Sequence, residues 1–124
     1  MNLLLDTHIF LWWLEDHKRL PARARKTIEE CELIFVSAAT VWEIGIKSSL
    51  KKLEFRGDLE AELTTNNFLP LPVTVAHAVA AGRLPRHHND PFDRMLVAQA
   101  ALEKLTLLTS DERLTAYSDR VLLA

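Results

Sequence analysis

Apolar residues along this chain gather in short, nearly continuous runs instead of alternating with polar ones. Leu3-Leu4-Leu5, Leu33-Ile34-Phe35-Val36 and Thr106-Leu107-Leu108-Thr109 are three such runs, and they stop at Asp6, Ser37 and Ser110-Asp111. Runs of this length with turn-prone flanks read as strands buried on both faces. Phe68–Leu71, fenced by Pro70 and Pro72, and Val121–Leu123 are further short strand candidates.

Segments of helical character lie between the runs. Asp6 or Thr7 caps a helix through Leu14, Pro21 opens one over Ala22–Glu30, and Ser37 caps one from Ala38 to about Leu50. A polar helix is expected near Leu59–Thr65, and another over Val75–Ala81 that Gly82 ends. Asp90-Pro91 starts a helix running to Glu103, and a short one is expected around Glu112–Tyr117. Strands and helices therefore alternate, which predicts an α/β fold: a mostly parallel sheet of four to five strands with helices on both faces. No repeat, low-complexity tract or Gly/Ser linker interrupts the pattern, so residues 1–124 read as a single domain. Right-handed crossovers put every strand's carboxyl end on one edge, where the ligand crevice of such sheets lies. Asp6 and Asp111 are expected at that edge.

Composition narrows the function without fixing it. Apolar residues make up 48% and charged ones 26%, as in a globular chain with a real core. The longest uncharged apolar runs, such as Ile9–Leu14, fall far short of the ~20 residues a membrane helix needs. No basic segment precedes the first apolar stretch, so a secretory signal is not expected. The single cysteine, Cys31, excludes an intramolecular disulfide and a paired-cysteine zinc site, and fits a reducing cytoplasm. A net charge of −2 argues against binding nucleic acid through a bulk positive field. It leaves room for an enzyme that grips phosphate through a bound cation and a few local bases.

Four acids stand out. Glu43 shares its helical face with Ala39, Ile46 and Leu50, and Asp93 shares its face with Leu96, Val97 and Ala100. Carboxylates on apolar stripes are desolvated unless something pairs with them. Each acid alone has a plainer reading. Asp6 and Asp111 suit helix caps at strand ends, Glu43 can pair with Lys47 one turn on, and Asp93 suits the first turn of a helix that Asp90 caps. Taken together, Asp6, Glu43, Asp93 and Asp111 surround one sheet edge. Two like charges ~4 Å apart at an effective dielectric of ~20 repel by ~4 kcal/mol, and a divalent cation relieves that repulsion. All-oxygen ligation suits Mg²⁺ or Mn²⁺ and the chemistry of phosphodiester hydrolysis. The hydroxyls of Thr7, Thr109 and Ser110 are candidates to orient the ion's water shell, and Asp90 is an additional acid.

The same residues carry a family resemblance. Leu3-Leu4-Leu5-Asp6-Thr7-His8 with Leu11-Trp12-Trp13 resembles the start of a PIN domain. Ser37…Trp42-Glu43-Ile44, Asp90-Pro91-Phe92-Asp93-Arg94-Met95-Leu96-Val97-Ala98-Gln99-Ala100 and Leu107-Leu108-Thr109-Ser110-Asp111 continue it over nearly the whole chain. The pattern is most similar to the VapC-type toxins of bacterial and archaeal toxin–antitoxin pairs. The resemblance implies a PIN-like three-layer sandwich and an RNA endonuclease dependent on Mg²⁺ or Mn²⁺. Asp6, Glu43 and Asp93 match the family's three central acids, and Asp111 its more variable fourth. It also implies a homodimer silenced by a cognate antitoxin.

Other features are weaker. Among the bases after Glu43, Lys47 is a candidate phosphate contact, and so is Arg94 near the other acids. In Arg86-His87-His88 the adjacent imidazoles point apart, which disfavours a two-histidine metal site, and a solvated loop or one that touches RNA or phosphate is expected. Phe10, Trp12, Trp13 and Leu14 make the first helix apolar nearly all round, which suggests a partner surface beyond the core. Two other functions compete. One is a degenerate PIN-like module that binds RNA or protein; the four acids argue against it. The other is a phosphatase-type hydrolase with a strand-end aspartate nucleophile, which would want a second Asp where His8 stands. Only three glycines are present, with no phosphate-binding glycine loop.

Overall fold

In the computed structural model, which describes residues 1–118 and 120–124, the elements follow the expected order. They are β1 (Leu3–Leu5), α1 (Thr7–Leu14), α2 (Ala22–Glu30), β2 (Ile34–Ser37), α3 (Ala38–Ser49), α4 (Leu59–Thr65), β3 (Leu69–Leu71), α5 (Val75–Arg83), α6 (Pro91–Glu103), β4 (Thr106–Thr109), a 3₁₀ turn (Glu112–Ala116) and β5 (Val121–Leu123). The five strands form one sheet in the order β3-β2-β1-β4-β5, and every pairing is parallel. Leu3, Leu4 and Leu5 of β1 lie beside Thr106, Leu107 and Leu108 of β4.

The strand side chains divide between two apolar layers with the two-residue period of a strand. Leu3, Leu5, Val36 and Leu108 pack with Ile9, Phe10, Ile28, Ile44 and Phe68 on one face. Leu4, Leu71 and Leu107 pack with Leu96, Val97, Ala100 and Leu114 on the other. The result is a three-layer sandwich, with α1–α4 on one face and α6, backed by α5, on the other. The runs are continuously apolar because both faces of the sheet are covered.

The winding direction reverses at β1, which has β2 on one side and β4 on the other. In an open parallel sheet a crevice opens at such a switch point, beyond the carboxyl ends of the strands. Asp6 leaves β1 there with its N–H on Leu108 O at 3.0 Å, and Thr109-Ser110-Asp111 leave β4 beside it.

Two local expectations are corrected. Gly82 does not end α5, which runs to Arg83; it stops because Leu84 precedes Pro85 and takes an extended backbone. The last helix is a single 3₁₀ stretch ending at Ala116. The first helix turns much of its apolar surface to the chain's own core. Ile9, Phe10 and Leu11 are buried, and Trp12, Trp13 and Leu14 pack against the chain's own core. Trp13 lies against Phe68 and Arg25 and donates from Nε1 to Asn66 Oδ1 at 3.0 Å. The most exposed aromatic residue is Trp42 on α3, edge-on to Phe92. Among the described residues no helix is long and apolar enough to cross a membrane.

Candidate active site

Asp6 is both cap and buried acid. Its Oδ1 accepts from the N–H of Ile9 at 2.9 Å, capping α1, and its Oδ2 accepts from the hydroxyl of Thr109. The residue is 4% exposed, and burial pushes its carboxyl above the ordinary range despite those bonds. Capping therefore does not compete with a role at the crevice, because one oxygen serves each purpose.

Glu43 comes from the second turn of α3, which Ser37 caps by accepting from Ala39 N–H at 3.0 Å. Its carboxylate is buried, with Oε1 accepting from the Thr7 hydroxyl at 2.6 Å and Oε2 from Lys47 Nζ at 2.7 Å. The bond to Glu43 raises the Lys47 ammonium's pKa. This i,i+4 pair is unlike a solvated surface pair, since its acid side chain is only 5% exposed.

Asp93 stands in the first turn of α6, behind an Asp90 cap whose Oδ1 accepts from the N–H groups of Phe92 and Asp93 at 2.8 and 3.2 Å. Burial, together with the charges of Asp90 and Asp6, pushes its carboxyl up to about 7. Asp111 behaves in the opposite way. Arg113 holds it with three bonds, from N–H and Nε to Oδ1 and from Nη2 to Oδ2, and keeps its carboxyl down at about 2.

Asp6, Glu43, Asp93 and Asp111 line one cavity of about 140 Å³, together with Asp90, Lys47 and His88. That is room for about five waters. Thr7 also lines it, whereas Thr109 is fully buried behind Asp6 and holds it. Ser110 is exposed and outside this cavity; its backbone N–H, not its hydroxyl, acts on Asp6. Arg94, the other expected phosphate contact, does not line this cavity. Its Nη1 and Nη2 donate to the carbonyls of Ala81, Leu84, Pro85 and His88 at 2.9–3.3 Å, which ties the loop before α6 to the helix.

His88 is the largest departure from the sequence reading. Far from lying in a solvated loop, its side chain is 7% exposed, with Nε2 3.0 Å from Asp111 Oδ2 and 3.3 Å from Asp93 Oδ2. Arg113 was likewise not foreseen. The Asp-x-Arg spacing from Asp111 was its available signal, and a histidine two residues ahead of a helix cap was that of His88.

The donor set fits a hard divalent cation. Three buried or half-buried carboxylates converge on a small cavity, and burial together with its neighbours' negative charge leaves one of them, Asp93, partly protonated near neutrality. Positive charge placed there relieves that repulsion, and oxygen-only donors suit Mg²⁺ or Mn²⁺.

Comparison with known proteins agrees with this architecture. The PIN domain family model matches residues 3–119. Ribonuclease VapC22 of Mycobacterium tuberculosis is 26% identical over 119 residues, covering 94% of this chain and 92% of that protein. Among solved structures, VapBC2 from Rickettsia felis bound to a promoter DNA fragment aligns with a TM-score of 0.71 at 18% identity, covering 100% of this chain and 98% of that one. A toxin–antitoxin complex from Klebsiella pneumoniae gives 0.69 at 18%, covering 97% and 95%. With the family model spanning nearly its whole length, and with the parallel sheet and clustered acids in place, this chain belongs to the PIN domain family.

Proposed function

We propose that this protein is a divalent-metal-dependent endoribonuclease, the toxin of a toxin–antitoxin pair. The observation that carries the reading is the convergence of Asp6, Glu43 and Asp93, from three separate elements, on one small cavity. These three carboxylates would hold Mg²⁺ or Mn²⁺, with Asp111 at the margin. When bound, such an ion supplies a more acidic water and stabilises negative charge on the phosphate oxygens. The chain's own residues set the stage. Thr109 and Thr7 fix the orientations of Asp6 and Glu43 by hydrogen bonds. Lys47, paired with Glu43 at the cavity wall, is placed to meet a substrate phosphate. Asp90 holds the start of α6, so that Asp93 enters the cavity from a fixed helix end.

The ribonuclease assignment is supported by the similarity to Ribonuclease VapC22, and the toxin role by the fold shared with the toxin–antitoxin complexes. RNA is accordingly the proposed substrate, a cognate antitoxin and a second copy of the chain the proposed partners, and the cytoplasm the proposed location. A phosphatase-type mechanism is disfavoured because His8, two residues after Asp6, is no acid. A binding-only module has no use for a cluster of carboxylates that repel one another.

The test is an RNA cleavage assay with added Mg²⁺ or Mn²⁺, repeated with chelator and with Asp6→Asn. Cleavage is expected only with metal and only in the unaltered chain. Cleavage that survives both chelator and the substitution would refute the mechanism.

A further inference from the structure

His88 is held more firmly than a loop residue needs to be. Its N–H donates to the hydroxyl oxygen of Tyr117 at 2.9 Å, and its carbonyl accepts from Arg94 Nη1 at 3.3 Å. Its Nδ1 lies 3.0 Å from the backbone N–H of Asp90. A backbone N–H can only donate, so Nδ1 presents its lone pair and the proton of the neutral ring sits on Nε2. That Nε2–H donates to Asp111 Oδ2 at 3.0 Å, and Asp93 Oδ2 lies 3.3 Å from the same nitrogen.

Spacing alone would make His88 a metal ligand, because its nitrogen and an oxygen each of Asp93 and Asp111 lie within 4.8 Å of one another. The hydrogen-bond pattern argues otherwise. A metal needs a lone pair on the nitrogen that approaches it, and here that nitrogen carries the proton. Moving the proton to Nδ1 would set it against the N–H of Asp90 and break the bond that orients the ring.

We propose that His88 is a positioning residue that binds carboxylates, not metal: its Nε2–H holds Asp111 Oδ2, and with Asp93 Oδ2 close to the same nitrogen the ring fixes where the Asp93 carboxylate stands in the cavity. The inference rests on the metal-site reading given above, and it assigns His88 the outer role in that site. The imidazole thereby stands between the start of α6 and the turn after β4.

Two substitutions separate the ring's two nitrogens. His88→Asn keeps an acceptor near the Nδ1 position for the Asp90 N–H but falls short of the acids. His88→Gln keeps a donor near the Nε2 position. Mn²⁺ binding is measured by calorimetry, Mg²⁺ by competition against it, and folding by metal-free melting. His88→Asn is expected to melt close to the unaltered protein, yet to bind both ions about 10–100-fold more weakly and by the same factor. His88→Gln is expected to stay within a few-fold of the unaltered affinity. Unchanged affinity in His88→Asn overturns the inference. A loss confined largely to Mn²⁺ also overturns it, because Mn²⁺ accepts nitrogen more readily than Mg²⁺ and such a loss identifies a direct ligand. An unaltered chain that binds neither ion overturns the functional reading itself, and this inference with it. Should His88→Asn not fold, ¹⁵N shifts of the ring in the unaltered protein decide. A proton on Nε2 before and after Mg²⁺ saturation supports the tether, and a proton moved to Nδ1 overturns it.

Discussion

The side chain that best reports the state of the site is Asp93, whose carboxyl is pushed up to about 7 by burial and by Asp90 and Asp6. In the unfolded chain the same group releases its proton near 3.8. Between those values the folded state binds more protons, so Asp93's contribution makes the metal-free protein lose stability as pH rises through that window. A cation must displace the retained proton, so Mn²⁺ affinity is expected to fall as pH is lowered from about 8 to about 6. Calorimetry at several pH values checks this, and a flat profile would contradict it. Asp93→Asn removes the repelled charge. It is expected to raise metal-free stability at about pH 8 by on the order of 1–3 kcal/mol while abolishing Mn²⁺ binding. Denaturant unfolding and calorimetry read the two halves separately. The acids were legible in the sequence because each interrupts an apolar stripe or ends an apolar run. His88 and Arg113 were not. The contact of His88 with Asp111 spans 23 positions and depends on how a loop folds back, and Arg113 reads as an ordinary surface base until Asp111 turns towards it.

Elements were legible wherever a capping residue announced them. Ser37, Asp90 and Pro21 each stand at the start of a helix as their chemistry requires. Gly82 misled because glycine often ends helices in the left-handed region, whereas no glycine here has a positive φ, and α5 ends at the residue before a proline instead. Arg94 has a structural task that its sequence context did not announce. A base beside an acid suggested phosphate, but its planar head sits among carbonyls of the 81–88 segment. Its loss leaves several carbonyls without a charged donor. Arg94→Ala is therefore expected to cost about 2–3 kcal/mol of stability. Arg94→Lys should recover only part of this, since an ammonium cannot reproduce the fork. Thermal melting checks both, and a silent Arg94→Ala would contradict the clamp. Asp90→Asn retains a good cap and removes a neighbouring negative charge. It should leave stability nearly unchanged while drawing Asp93's carboxyl down towards the ordinary range, a shift that carbon-detected NMR titration follows.

The molecule as a whole is organised by the strand order, which brings the ends of β1 and β4 together at the reversal of winding. Alternation of strands and helices predicted the parallel sheet, and the right-handed crossover rule predicted a shared edge for its carboxyl ends. The order β3-β2-β1-β4-β5 was not readable, because apolar runs of similar composition do not say which neighbour each will choose. Nor was the packing of Phe68, Asn66 and Arg25 around Trp13 of the first helix. The central claim is that this winding gathers Asp6, Glu43 and Asp93 into a cage for one kind of ion. Crystals soaked in Mn²⁺ and measured for anomalous scattering test it most directly. The account predicts a strong peak bounded by those three carboxylates, with His88 outside its coordination sphere. No peak in that cavity, or a peak ligated only by acids elsewhere on the surface, would contradict it.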